Sequence, residues 1–237
     1  MRLYFGIDGK SGFARYEAMR GQYVLDTFWL PMPRKWHSGF KGIFLDSGAF
    51  SAWHQNEVID REAYADYALS GDFDAVAGDL VIANASPDQT LADTEYLRTL
   101  GLPALPAYHQ GEPWDYLEHL IKTYDYIGLG CTEDFSVTSS VTDWLYKCFW
   151  RICDDKGHPK VKVHGYRFTS RMNDFPFWSV DSTSWAQSHG AVSMTSIGKK
   201  LPWLQPLEVG ELVVKYYARQ PRCARLVEPV QEELAFS

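Results

Sequence analysis

The sequence has no run of the ~20 apolar residues that a membrane-spanning helix needs. It begins with a strand-like stretch, residues 1–6, and not with the charged and apolar pattern of a secretory signal. Its four cysteines form no CxxC pair, which is typical of free thiols in a reducing compartment. We therefore expect a soluble, cytoplasmic protein that does not contact a membrane.

A basic excess is also absent, since 23 Lys and Arg face 30 Asp and Glu, for a net charge of -7. Proteins that bind nucleic acid over a large surface usually carry a basic excess. Any phosphate-binding surface must therefore be local, although each basic side chain could also belong simply to the solvated surface. The candidates lie in the last third of the chain and are Arg167, Arg171, Lys199 and Lys200.

What the sequence does contain is a repeated alternation of strand and helix patterns, without a long linker. About eight strand candidates occur, and such alternation indicates parallel strands joined by helical crossovers. At 237 residues this favours a (β/α)8 TIM-type barrel that forms a single domain over residues 1–237. A doubly wound open sheet is the alternative.

Local signals add detail to this pattern. Asp60 is predicted to cap one helix, and Ser86 the next, with Gln89 in the capping-box position. Residues 23–30 are interpreted as a hairpin strand or an insertion, and residues 191–194 as a last short strand.

Distinctive polar residues follow at least six of the predicted strands. In a barrel these strand ends converge on one face, whereas in an open sheet they spread along an edge. Each residue alone also has a structural interpretation, as a helix cap, a turn, a buried thiol or a structural histidine. The residues are Asp46, Asp79, Gln110, Cys131, His164 and Asp181.

Two carboxylates in one pocket can take different catalytic roles. One can act as a nucleophile or stabilise positive charge, while the other acts as a general acid/base. Glycosyl transfer uses this arrangement at an oxocarbenium-like centre. Asp79 and Gln110 could read the edge of a flat heterocycle, and Phe50 could stack on its ring.

The ordered set of strand-end motifs resembles the tRNA-guanine transglycosylase superfamily over residues 43–185. The segments at 163–165 and 179–185 are most similar to the phage and bacterial branch that places 7-deazaguanine bases in DNA. The motifs, in chain order, are Asp46-Ser47-Gly48-Ala49-Phe50, Gly78-Asp79, Gln110-Gly111, Gly128-Leu129-Gly130 and Asp181.

This resemblance implies a base-exchange glycosyltransferase that needs no cofactor. Its partners would be a DNA (or RNA) polynucleotide and a free 7-deazaguanine base, and a homodimer is compatible because enzymes of this superfamily can work as pairs. If the source is viral, the compartment would be the host cytoplasm. Asp181 would be the nucleophile and Asp46 the general acid/base, while Asp79 and Gln110 would recognise the base edge. The other implied substrate-binding residues are Ser47, Gly48, Phe50, Gly130, Cys131 and His164.

The chain departs from the tRNA enzymes where they carry a zinc loop. Beyond Asp181 it has only Cys223 and, well before it, His189, so we expect no metal site. The chain is also short for the family, and both points favour DNA, from which the target base would have to be flipped out. The alternatives are the same chemistry on tRNA or other RNA, and a non-catalytic subunit that binds modified bases.

Overall fold

The computed structural model describes residues 1–81, 86–131, 139–186 and 193–226. Nine strands in these ranges form one sheet, in which every pairing is parallel. The strands are β1 (Arg2–Gly6), β2 (Tyr23–Thr27), β3 (Gly42–Asp46), β4 (Ala75–Ala77), β5 (Ala104–Leu105), β6 (Ala107–His109), β7 (Tyr126–Gly130), β8 (Lys162–Gly165) and β9 (Ser179–Ser182).

Helices connect the strands, as parallel crossovers require. Short 3-10 helices add to them at Arg34–Gly39, Thr169–Arg171 and Ser184–Ala186. The α-helices of the described ranges are α1 (Phe13–Ala18), α2 (Ala49–His54), α3 (Arg61–Leu69), α4 (Pro87–Thr99), α5 (Trp114–Thr123), α6 (Ser139–Ile152), α7 (Met194–Lys200) and α8 (Pro206–Ala218). None of these helices combines the length and the apolarity that crossing a bilayer requires.

The sheet nearly closes on itself, with the order β5-β4-β3-β2-β1-β9-β8-β7-β6. Its two end strands, β5 and β6, are consecutive in the chain and are separated by Pro106 alone. The carbonyl of Leu105 accepts a hydrogen bond from Gly78 on one side, and the carbonyl of Pro106 accepts one from Gly128 on the other. The result is an α/β fold with a nearly closed parallel sheet that resembles a TIM barrel, and not a doubly wound open sheet.

Side chains alternate between the inside of this sheet and the helices around it. The inner cluster includes the large rings of Tyr4 and Phe44, which pack beside the small Ala75 and Ala77. Two larger clusters lie between the sheet and the helices. Because the sheet is buried on both faces, most of its strands are rich in apolar residues, and the buried polar residues within them include Asp26, His164, Ser179 and Asp181.

The predicted helix caps are confirmed. Asp60 Oδ1 accepts a 2.8 Å hydrogen bond from Ala63 N, and Ser86 Oγ accepts a 3.2 Å bond from Gln89 N. The capping box is not formed, because the side chain of Gln89 donates instead to Asp93 Oδ2 at 2.9 Å.

Two other predictions are corrected. The predicted hairpin or insertion at residues 23–30 is β2, which pairs in parallel with both β1 and β3 and so is part of the barrel. Of the predicted last strand, residues 191–192 lie outside the described residues, and Met194 begins α7.

Candidate active site

One cavity of about 760 Å³ lies where the carboxyl ends of the strands meet. Its volume is within the roughly 300–1,000 Å³ that is typical of small-molecule sites. Nine residues predicted from sequence line it, which places the ends of five strands at one site. They are Asp46, Ser47, Gly48, Phe50, Asp79, Gly130, Cys131, Arg167 and Asp181.

Asp46 ends β3 and keeps part of its surface open to the cavity. Its Oδ2 accepts a hydrogen bond of 3.2 Å from Gly48 N. Burial, together with the charges of Asp79 and Asp181, raises the pKa of Asp46 to about 8. At neutral pH this carboxyl group therefore mostly holds a proton, which it can donate.

The loop after β3 depends on a glycine. Gly48 has a φ of +78°, and a Cβ at this position would lie only 2.4 Å from the Cβ of Trp29. Next to it, Ser47 Oγ donates a 2.7 Å hydrogen bond to the carbonyl of Asp79 and accepts one of 3.2 Å from Ala49 N. Ser47 therefore links the loop that carries Asp46 to the loop that carries Asp79, in addition to lining the cavity.

Asp181 lies inside β9 and is 4 % exposed. Its Oδ1 accepts a 2.8 Å hydrogen bond from the backbone N–H of Arg167 and lies 3.4 Å from His164 Nε2. Helix capping, the structural alternative for Asp46 and Asp181, is wrong for both: Asp181 is within a strand, and the N-cap of α2 is Gly48. Both residues therefore line the cavity without capping a helix.

His164 is fully buried and does not line the cavity. Its ring stacks on Phe44, with 4.5 Å between ring centroids, and its Nδ1 lies 2.6 Å from Ser179 Oγ. That hydroxyl in turn lies 2.5 Å from the hydroxyl of Tyr126. The expectation that His164 binds the substrate is corrected, because the ring is buried in the barrel interior, where its Nε2 lies 3.4 Å from Asp181 Oδ1.

Gln110 is likewise absent from the cavity wall, and its Oε1 accepts a 2.9 Å hydrogen bond from Cys131 Sγ. The residue that faces the cavity is His109, which sequence reasoning missed. Tyr108 packs outward in the cluster beneath the helices, so strand alternation turns His109 inward and Gln110 outward. The alternation of side chains along the strand was the sequence signal that could have identified His109.

His109 lies between two carboxylates. Its Nε2 is 3.5 Å from Asp79 Oδ2, and its Nδ1 is 3.7 Å from Glu112 Oε1. Burial alone would lower the pKa of His109, but the interactions with Asp79 and Glu112 outweigh it and raise the pKa to about 9. The cavity wall therefore carries an imidazolium at neutral pH.

Aromatic groups complete the wall. The guanidinium carbon of Arg167 lies 5.2 Å from the centre of the half-exposed Phe50 ring. The hydroxyl of Tyr166 is buried and has no hydrogen-bond partner among the described residues. A flat ligand in this cavity would meet an aromatic face and a cation.

The remaining predicted basic residues lie outside the cavity wall. Arg171 forms a 3.3 Å ion pair with Asp174. Lys199 and Lys200 are exposed at the end of α7, whose second residue, Thr195, lines the cavity. With a rise of ~1.5 Å per residue, the lysines are ~6–8 Å further along the helix.

The described parts of the chain hold no group of three or more His, Cys, Asp or Glu side chains placed to bind a metal ion. Neither a protein-family model nor a curated protein sequence matches this chain.

Proposed function

We propose that the protein exchanges guanine in DNA for a 7-deazaguanine base through a covalent bond between Asp181 and the sugar. The observation that carries this proposal is a single cavity in which two carboxyl groups have different environments. Asp46 has a pKa raised to about 8, and Asp181 accepts a backbone hydrogen bond. Two carboxyl groups in such different environments can divide the roles of acid and nucleophile.

In the first half of the reaction, an oxygen of Asp181 attacks C1′ of the deoxyribose. The bond from C1′ to N9 of guanine breaks, and its electron pair leaves with the base. Protonated Asp46 gives its proton to the departing guanine and becomes a carboxylate. The products of this half are free guanine and a sugar ester of Asp181, and the charge is balanced.

In the second half, the incoming 7-deazaguanine occupies the place of guanine. The carboxylate of Asp46 takes the N9 proton, and N9 attacks C1′. The ester bond to Asp181 breaks and the carboxylate is restored. Asp46 is protonated again, so the cycle returns to its starting state without a cofactor.

The walls of the cavity support a nucleobase as the ligand. Phe50 offers a ring face and Asp79 offers carboxylate oxygens for ring N–H groups. Arg167 on the wall, and Lys199 and Lys200 outside it, supply the local positive charge that a polynucleotide backbone needs. A base in a duplex would have to leave the stack to enter this cavity.

We propose that the sheet is an eight-stranded barrel. Counting β5 and β6 as one strand interrupted at Pro106 gives eight strands, as in a (β/α)8 barrel. A proline cannot donate a hydrogen bond to the ladder, which accounts for the interruption at that residue. We propose that this barrel is a single domain over residues 1–237.

Incorporation of radiolabelled guanine tests the function. Single-stranded DNA, duplex DNA and a tRNA transcript are each incubated with the protein and labelled guanine, and the label in polynucleotide is counted. We expect incorporation into DNA, followed by its loss when excess unlabelled 7-deazaguanine competes. Label that enters only the transcript would replace DNA by RNA in the proposal, and no incorporation with retained base binding would favour the non-catalytic alternative.

A further inference from the structure

We propose that Nε2–H of His164 and the backbone N–H of Arg167 together hold one oxygen of Asp181, Oδ1, and so leave Oδ2 as the atom that attacks the sugar. The inference rests on the proposed function, for which it makes His164 a positioning residue. His164 does not line the cavity, so it acts on the reaction through Asp181.

Both contacts of the Asp181 carboxyl group are made to the same oxygen. Oδ1 accepts a 2.8 Å hydrogen bond from the backbone N–H of Arg167, and it lies 3.4 Å from His164 Nε2. Within the described ranges no hydrogen bond reaches Oδ2, and Asp181 lines the cavity. An attacking oxygen needs a lone pair that no donor engages, so the geometry selects Oδ2.

Two hydroxyl groups on the other side of the ring decide where its proton lies. Ser179 Oγ is 2.6 Å from His164 Nδ1 and 2.5 Å from the hydroxyl of Tyr126, which makes no other hydrogen bond to a described residue. Each hydroxyl has one proton to donate. If Tyr126 donates to Ser179, then Ser179 donates to Nδ1 and both protons have acceptors. The reverse direction would leave the tyrosine proton without an acceptor, so Nδ1 is the acceptor.

The direction of this chain makes Nε2 a donor. A neutral imidazole carries one N–H, and with Nδ1 as the acceptor that proton is on Nε2. Nε2 is buried, and in the described parts of the chain it forms no hydrogen bond elsewhere, so Oδ1 of Asp181 is the acceptor it faces. Hydrogen bonds of catalytic groups are often long before the substrate binds and shorten in the reacting complex, and a separation of 3.4 Å fits this role.

Packing keeps the ring of His164 in this orientation. The ring is fully buried, stacks on Phe44 at 4.5 Å between centroids and meets the ring of Tyr166 edge-on at 4.7 Å. A half-turn of the ring would place a carbon, Cδ2, opposite Ser179 Oγ and lose that hydrogen bond. The stack and the hydrogen bond therefore hold Nε2 towards Asp181.

A donor to Oδ1 affects the two halves of the reaction differently. When Oδ2 bonds to C1′ and the C1′–N9 electron pair leaves with guanine, Asp181 loses its charge and Oδ1 becomes the carbonyl oxygen of an ester. When the ester breaks, the electron pair returns to Oδ2 and the charge is restored. Hydrogen bonds to charged oxygens are about twice as strong as those to neutral ones. The N–H of His164 therefore stabilises the carboxylate more than the ester and assists release of the sugar.

NMR of the histidine rings tests the position of the proton in the wild-type protein. The full chain is produced with isotope-labelled histidine, and the signals of His164 are assigned by their absence from His164→Gln. Proton–nitrogen correlation spectra at neutral pH distinguish protonated from unprotonated ring nitrogens. We expect a proton on Nε2 and none on Nδ1. A proton on Nδ1, alone or together with one on Nε2, would overturn the inference and leave the proposed base exchange standing.

The equilibrium between free protein and covalent adduct tests the effect of the donor. Each protein is held with excess guanine-containing DNA and free guanine, stopped with denaturant, and the fraction that carries DNA is measured. His164→Phe keeps a ring to stack on Phe44 but has no N–H. We expect its ratio of adduct to free protein to rise about tenfold over the wild-type ratio. His164→Gln, whose amide can again donate, should restore most of the wild-type ratio.

The matched control is His37→Phe. The Nε2 of His37 lies 3.5 Å from Oδ2 of the buried Asp26, a similar pair outside the cavity wall, and this variant should keep the wild-type ratio. A ratio in His164→Phe that equals the wild-type value or falls below it would assign His164 a structural role only and overturn the inference. Adduct in none of the proteins, the wild type included, would overturn the proposed function together with the attack by Oδ2.

Discussion

The backbone N–H of Arg167 donates a 2.8 Å hydrogen bond to Oδ1 of Asp181. Arg167 adopts a φ of +62°, a conformation that few non-glycine residues occupy. Such a conformation persists where the surrounding structure imposes it, and it is concentrated at functional sites. The turn after β8 therefore orients the carboxylate of Asp181 with a backbone group, which only a substitution of Arg167 by proline would remove.

Replacing the proposed nucleophile should abolish exchange without unfolding the protein. Asp181→Asn keeps an oxygen that can accept the N–H of Arg167, but an amide does not attack C1′. We expect guanine exchange to fall by about a thousandfold or more, as for loss of other nucleophiles. Asp155→Asn, at an exposed aspartate outside the cavity, is the control and should retain full activity. Substantial exchange by Asp181→Asn would contradict the assigned role.

Exchange should fall at alkaline pH. Asp46 must be protonated to donate to guanine, and its pKa is about 8. We expect kcat/KM for DNA to be level below that pH and to fall about tenfold per pH unit above it. A profile that rises through pH 8 would assign Asp46 to the opposite role, as a base in the first step.

The pKa of Asp46 also predicts how stability depends on pH. The folded state holds the proton up to about pH 8, whereas an unfolded aspartate releases it near 3.8. The contribution of this group is fully present below the unfolded pKa and is lost as pH rises from about 4 to about 8.

Asp46→Asn removes this loss. The variant should gain stability over the wild-type protein across that pH window, by on the order of 2–3 kcal/mol at its upper end after allowance for solvent in the cavity. Urea unfolding of both proteins at pH 5 and pH 8.5 measures the difference. The same difference at both pH values would show that the folded protein does not raise the pKa of Asp46.

The hydroxyl of Ser179 joins Tyr126 to His164, and His164 lies behind Asp181. Ser179→Ala leaves the buried Nδ1 of His164 without this partner, which typically costs about 1–3 kcal/mol of folding free energy. We also expect slower exchange, because the ring that supports Asp181 is no longer fixed. The exposed Ser38→Ala is the control and should stay within about 0.5 kcal/mol of the wild-type protein. Equal stability of the two variants would show that the Ser179 hydroxyl does not stabilise the His164 ring, and would contradict this role for His164.

Alanine variants of two glycines distinguish the cost of a left-handed backbone from the cost of a steric clash. Gly48 and Gly101 have nearly the same φ, +78° and +81°, but a Cβ at 48 would strike Trp29, whereas one at 101 meets nothing within 4 Å. Gly101→Ala should cost about 1–2 kcal/mol, the usual price of the left-handed conformation. Gly48→Ala should cost more and should also reduce exchange, because it displaces the loop that holds Asp46. Thermal unfolding of both variants checks the order.

Much of the fold could be predicted because strand–helix alternation is a local signal. The caps at Asp60 and Ser86 were predictable for the same reason. The assignment of residues 23–30 was wrong because β2 pairs with β1 and β3, which are distant in sequence, and only the closed sheet determines that pairing.

The site was predictable down to the strand ends but not to the direction of each side chain. Asp46, Asp79 and Asp181 follow apolar stretches, and they share one cavity. Residues 107–109 form a three-residue strand that is buried on both faces, so its sequence shows no apolar–polar alternation. The choice between His109 and Gln110 therefore depends on the packing of Tyr108 beneath the helices, which is a tertiary contact.

A covalent adduct on Asp181 tests the central claim most directly. The protein is incubated with guanine-containing DNA in the absence of a free base, denatured and digested, and the peptide that contains Asp181 is analysed by mass spectrometry. We predict a DNA strand lacking one guanine on Asp181, one released guanine per adduct, and no adduct in Asp181→Asn. Release of guanine without any adduct, or an adduct on a different residue, would contradict the mechanism.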